Sequence, residues 1–119
     1  MTWLAALEMQ WLERGHCTHQ HQGRAYRPSR ALRHLIQIRH RTCAHPGCRR
    51  PAQHCDIDHT TPFQDGGRTC ECNTGPLCRR HHQTKQAPGW RVSQPQPGTL
   101  AWTAPHGRTY TVKPDRYPV

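Results

Sequence analysis

The sequence predicts a small α+β domain that a bound metal must help to hold together. Only 33% of its 119 residues are apolar and the mean hydropathy is −1.00. A chain this short and polar cannot bury a large core, and such domains usually need a metal or disulfide staple. Cysteine and histidine arrive in two pairs, Cys43-x4-Cys48 and Cys78-x2-His81, the donor types and spacings of a tetrahedral zinc site. Residues 29–40 carry a helical period, whereas residues 90–112 break into short β-prone runs. The expected organisation is an N-terminal helix and loop (1–28), a central metal-bearing α+β unit (29–89) and a C-terminal meander packed on it (90–119).

Each element has its own signal. Trp3, Leu4, Leu7, Trp11 and Leu12 have helical spacing, and residues 2–14 read as the remnant of a longer helical region. Residues 15–28 have no period and read as loop, with Cys17, His19 and His21 as incidental polar side chains and a metal-binding cluster as the alternative. Ser29 is a suitable N-cap for a helix to about His40, with Leu32, Leu35, Ile36 and Ile38 as its buried stripe and arginines over the rest. Residues 53–58 (QHCDID) read as a strand, Thr60 to Thr69 as loop, and Cys70 to Cys72 as a short return strand. Thr74 then caps a helix from Gly75 to Gln86, closed by Pro88-Gly89. WRVSQ, TLAWT and RTYTV form a three-stranded meander, with Trp90, Trp102 and Tyr110 packing it onto the helix.

Charge narrows the partners. The formal net charge is +10 and the pI near 10.0, which favours an anionic partner. No apolar run is long enough to span a bilayer, so nucleic acid is favoured over a membrane surface. From Arg14 to Cys55 there are nine arginines and no acidic residue, and an anionic partner would relieve their self-repulsion. Seven cysteines with no export signal favour metal over disulfides, and a cytoplasmic setting follows from the same reasoning. Cys55, Cys70 and Cys72 read as small buried hydrophobes, with a C-x-C metal pair as the alternative.

The run Asp58-His59, Pro62, Gly66-Gly67, Asn73, Leu77-Cys78, His81-His82 and Lys85 resembles the HNH endonuclease motif of the ββα-metal superfamily. It is similar to the HNH module that ends certain bacterial proteins after a long helical region of unknown function. The resemblance covers roughly residues 24 to 112. It departs at one point: the usual C-x2-C-H ending is C-x2-H-H here, so His81 stands for a zinc cysteine, which imidazole can do.

The resemblance implies a DNA phosphodiester hydrolase with a structural zinc on Cys43, Cys48, Cys78 and His81. It also implies that His59 activates water and that Asp58 and His82 bind a catalytic Mg²⁺ or Mn²⁺. Asn73 either orients the loop or ligates the same ion. These residue types suit the chemistry, which needs a base titrating near neutrality and positive charge at the phosphate. Neighbours 58 and 59 point to opposite faces of a strand, so a bend is needed for both to reach one phosphate. Arg79, Arg80 and Lys85 on the last helix, with Arg41, Arg49 and Arg50 near the knuckle, are candidate DNA-backbone contacts. Three other readings stand beside this one: a non-catalytic zinc module that binds nucleic acid, a truncated nuclease that is inactive, and a hydrolase of some other anionic substrate.

Overall fold

The computed structural model describes residues 17–115, so the helix expected at 2–14 lies outside the described residues. Among these there are two α-helices and two small antiparallel sheets. Helix α1 (Arg30–Arg39) is capped by Ser29, whose hydroxyl accepts from the Leu32 N–H at 3.1 Å. Strands β1 (Asp56–His59) and β2 (Thr74–Leu77) pair antiparallel with Asp56 opposite Leu77 and His59 opposite Thr74. Helix α2 (Arg79–Gln86) follows β2 at once with Cys78 as its N-cap. Strands β3 (Arg91–Gln96), β4 (Thr99–Thr103) and β5 (Thr109–Val112) form the meander.

The return strand and the second helix start later than the sequence suggests. Residues 74–77 (TGPL) carry turn-forming Gly and Pro, yet all four are buried in a strand. Pro76 is tolerated because its pair with Ile57 faces its backbone away from β1; its carbonyl instead accepts from the Ala44 N–H at 2.7 Å. Thr74 is therefore no cap, and its buried hydroxyl bonds the Cys70 carbonyl at 2.8 Å. The strand before it is also shorter than expected, because Ala52–His54 form a 3₁₀ turn and only Asp56–His59 pair.

Two apolar clusters hold these elements. Leu32 and Ile36 of α1 meet Ile57 of β1. The larger cluster joins Cys43, Ala44, Cys55, Leu77, Cys78, Leu100 and Trp102, so the meander packs on the cysteine knuckle. Trp102 is fully buried and its indole N–H donates to the Ala44 carbonyl at 2.9 Å. The α1 stripe is narrower than expected: Ile38 is exposed while Arg39 is buried. The Arg39 guanidinium donates to the carbonyls of Glu71 and Thr74, each at 2.5 Å, and so ties α1 to the chain entering β2. Burial, opposed by the Glu71 carboxylate, lowers Arg39 to about 10, so it remains charged at neutral pH.

Beside it His40 is buried and held neutral. Burial and the Arg39 charge lower it to about 4. A histidine whose folded value lies below its unfolded one stabilises fully above about pH 6.5 and loses that contribution as pH falls towards 4. Stability should thus drop by up to about 3 kcal/mol over that window through His40 alone. Urea unfolding of the chain and of His40→Asn across pH 7 to 4 measures this; the same pH slope in both would refute it.

Candidate metal centres and the strand–helix site

Two groups of side chains have the donors and spacing to hold a metal ion. The first is Cys43, Cys48, Cys78 and His81, whose ligand atoms all lie within 4.8 Å of one another. The knuckle brings Cys43 and Cys48 round through Pro46 and Gly47, the latter at a positive φ of 75°. His81 Nδ1 lies 3.7 Å from Cys43 Sγ and 3.3 Å from Cys78 Sγ. Tetrahedral zinc places sulfur and nitrogen ligands about 3.6 Å apart, given bonds of about 2.3 and 2.1 Å. The Cys78 N–H donates to Cys43 Sγ at 3.3 Å. Burial pushes the Cys78 thiol up, but the backbone N–H groups of His81 and Arg80, with the Cys43 and Cys48 thiols, outweigh it and leave Cys78 below the ordinary thiol value.

His45, which sequence reasoning passed over, lies flat on the His81 ring with centroids 3.9 Å apart and planes at 5°. Its other neighbours are Trp90 and Trp102, so the meander orients His81 through His45. Burial and the neighbouring Arg80 charge lower His81, which favours the neutral imidazole that a metal requires.

The second group is Cys17, His19, Cys70 and Cys72. The structure thus brings Cys17 and His19, read as incidental loop residues, together with Cys70 and Cys72, read as small hydrophobes, in the arrangement that the metal alternatives for both pairs describe. Cys55 keeps the role of a small hydrophobe: buried, its thiol donates to the Pro51 carbonyl at 3.4 Å. The C-x-H and C-x-C spacings were the available signal. What concealed them was distance, since 53 positions separate Cys17 from Cys70.

The third arrangement lies where β1 meets α2. Alternate strand residues share a face, so Asp56 and Asp58 both point at the helix, with His82 between them. His82 Nδ1 is 3.2 Å from Asp56 Oδ2, and Nε2 is 3.1 Å from Asp58 Oδ1. Asp56 was not anticipated, although its position two residues before Asp58 on a strand was the clue. It acts as the carboxylate that orients a histidine from behind, as around many metal sites.

The cations near this site are more engaged than the sequence implies. Lys85 is only 12% exposed; its ammonium bonds Asp58 Oδ2 at 2.6 Å and also the His59 carbonyl. Here it is a partner of the site carboxylate, not a free phosphate anchor. Arg79 pairs with Asp56 at 3.3 Å while remaining largely exposed. Arg41, Arg49, Arg50 and Arg80 are exposed.

His59 faces the other way, as strand alternation dictates. Its imidazole stacks on Tyr26 at 5.1 Å and meets the edge of Phe63 at 5.7 Å. Its Nε2 lies 2.8 Å from Thr69 Oγ1, and that hydroxyl donates its one proton to the Ala25 carbonyl at 2.6 Å. The Thr69 oxygen can therefore only accept from His59, which places the proton on Nε2 and the lone pair on Nδ1. Burial lowers His59, Asp58 opposes the shift and Lys85 adds to it.

Asn73 shows the loop-orienting one of its two expected roles. Its Oδ1 accepts from the Thr61 N–H at 2.9 Å, and its Nδ2 donates to the carbonyls of Thr61 and Arg68 at 3.1 and 2.9 Å. The side chain thus ties the start and the middle of the 60–73 loop to its end, and Oδ1 keeps a second lone pair beyond the one that Thr61 uses. The loop also needs Gly67, where a Cβ would lie 1.8 Å from the Thr61 carbonyl oxygen.

No family model matches the chain, and no solved structure matches it. It is similar to uncharacterized proteins of Mycobacterium tuberculosis. It is 50% identical to Rv3776 over 91 residues, 76% of this chain and 17% of that protein. With Rv2100 the identity is 47% over 90 residues, 75% of this chain and 16% of that protein. With Rv1945 it is 30% over 77 residues, 65% of this chain and 17% of that protein. The chain thus spans about one sixth of the length of these relatives. Among the described residues no helix is long and apolar enough to cross a membrane.

The Asn73 clamp sets a stability test. Asn73→Ala removes three hydrogen bonds to loop backbone and should cost about 2 kcal/mol. Urea unfolding and amide exchange at Thr61 report it; unchanged protection of that amide would count against the clamp.

Proposed function

We propose that this chain is a metal-dependent endonuclease module of the HNH type that hydrolyses DNA phosphodiester bonds. In this reading a structural zinc is held by Cys43, Cys48, Cys78 and His81. The observation that carries the reading is the His82 imidazole set between two carboxylates. His82 Nδ1 is in hydrogen-bond contact with Asp56 Oδ2 at 3.2 Å, while Nε2 lies 3.1 Å from Asp58 Oδ1, so Nε2 and Asp58 offer a nitrogen and an oxygen donor side by side. Cis ligands of an octahedral ion with bonds of about 2.1 Å stand about 3.0 Å apart, so the spacing suits Mg²⁺ or Mn²⁺. Such an ion would supply positive charge to a phosphate oxygen and to the leaving oxygen.

The remaining parts supply the groups hydrolysis needs, although His59 lies buried on the opposite face of β1 from Asp58, so in this reading the end of β1 must turn for both to reach one phosphate. His59 Nδ1 carries the lone pair that accepts a proton from water, while Thr69 and the Ala25 carbonyl fix the ring behind it. The lowered value of His59 keeps it unprotonated, as a base must be. Tyr26 and Phe63, both exposed, offer aromatic faces beside it for nucleotide rings. Arg80 and, beyond the knuckle, Arg41, Arg49 and Arg50 give the charge for backbone contact. Weak sequence preference is expected, because no element offers an obvious reader of base edges.

One observation favours the non-catalytic alternative: Lys85 is already bound to Asp58. A zinc-stapled module that binds nucleic acid without cutting it, or an inactive truncated nuclease, would keep that pair. The deciding experiment is nicking of supercoiled plasmid with added Mg²⁺ or Mn²⁺, by the chain and by His59→Ala at equal zinc content. Metal-dependent nicking reduced at least about a hundredfold in the variant is expected. Binding without cutting by both proteins would leave the alternative.

Two further outcomes follow from the same reading. Cys43→Ser should unfold the domain, since structural zinc binding supplies much of a small domain's folding free energy; unchanged melting and zinc content would contradict it. DNA affinity should fall at least about tenfold between 50 and 200 mM salt, and a flat response would remove the phosphate contacts.

A further inference from the structure

We infer that Cys17, His19, Cys70 and Cys72 bind a second zinc ion, which clasps residues 17–28 onto the loop behind His59. The metal site stands on its own geometry; its bearing on His59 rests on the proposed function. Cys17 Sγ and Cys70 Sγ are 3.7 Å apart, and His19 Nδ1 lies 3.2 Å from Cys70 Sγ and 3.6 Å from Cys72 Sγ. These are ligand–ligand separations of tetrahedral zinc, which puts two sulfurs about 3.8 Å apart and sulfur and nitrogen about 3.6 Å apart. A disulfide would need about 2.05 Å between the sulfurs and would leave the histidine without a purpose. Three thiolates with one imidazole select zinc over hard cations.

The local backbone is shaped to the task. The His19 N–H donates to Cys17 Sγ at 3.3 Å, and His19 takes a positive φ of 56° that turns its ring back towards the sulfurs. The buried guanidinium of Arg39, bonded to the Glu71 carbonyl between the two loop cysteines, offsets the buried Glu71 carboxylate, which lies 3.4 Å from Cys70 Sγ. The cysteine count also closes. Two sites of three cysteines and one histidine use six of the seven, and Cys55 is the remainder.

The pairs alternate along the chain. Cys17/His19 joins Cys70/Cys72, and Cys43/Cys48 joins Cys78/His81, so the first and third pairs share one ion and the second and fourth the other. The clasp acts at Thr69, next to Cys70. The Gly23 N–H donates to the Thr69 carbonyl at 2.9 Å, Thr69 Oγ1 donates to Ala25, and Tyr26 covers His59. Fixing the two ends of this contact fixes the acceptor that keeps the His59 proton on Nε2.

The test counts metal without reference to cleavage. The purified full chain, dialysed against Mg²⁺ to clear any zinc from Asp58 and His82, should hold two zinc equivalents, one per cluster. Cys70→Ser/Cys72→Ser should hold one. Cobalt replacement should halve the thiolate-to-metal absorbance in that variant. His19→Ala alters a single exposed ligand and serves if the double variant does not fold; it too should lose one equivalent to a mild chelator. With the first site still loaded, ¹⁵N shifts of His59 in His19→Ala should move from the Nε2–H tautomer towards a mixture. One zinc in the unaltered chain, or two in His19→Ala with unchanged cobalt absorbance, would overturn the second site. Unchanged His59 shifts after loss of one zinc would overturn the clasp. Absence of nicking with two zincs bound would refute only the nuclease reading.

Discussion

The meeting of Cys43, Cys48, Cys78 and His81 is the constraint from which the rest of this fold follows. Cys43 and Cys78 are part of the larger apolar cluster itself, so the core is assembled around the ligand set and not beside it. Trp102 seals it from one side and reaches the knuckle backbone at Ala44. His45 carries that packing to His81 by stacking. A chain with one third apolar residues has few other ways to fix a helix start, a knuckle and a sheet against one another. The position of α2, and with it His82 and Lys85, depends on this junction.

From that junction the two faces of β1 diverge. Asp56 and Asp58 look towards α2, where His82 and Lys85 answer them. Ile57 enters the core against α1, and His59 turns to Thr69, Tyr26 and Phe63. A four-residue strand thus presents carboxylates on one side and an imidazole of defined tautomer near its end. The loop of residues 60–73 closes the second side, and Asn73 keeps both of its ends in register.

Local signals were legible wherever the determinant lay within a few residues. Ser29 announces α1, the three β-prone runs announce the meander, and the C-x4-C and C-x2-H pairs announce the first ligand group. The fold class with its small sheets and helices was therefore readable. The failures share a cause, which is that tertiary contact overrode local preference. TGPL becomes a strand because β1 and Ala44 satisfy its backbone. Arg39 goes inside because two carbonyls wait for it. Cys17 and His19 gain meaning only from Cys70 and Cys72, far along the chain. Lys85 looked like a free cation because its carboxylate partner sits on another element.

The alternation of ligand pairs has a consequence for biosynthesis. Neither metal group is complete while the ribosome is still making the knuckle, because each waits for a downstream pair. The group begun at Cys17 completes at Cys72 and the group begun at Cys43 completes at His81, nine residues later (81 − 72). The two ions would therefore be captured almost together, late in translation of this stretch. Until then the thiols already made stand open to oxidation and to wrong metals, so an ion bound at both groups would set the order in which this stretch can fold.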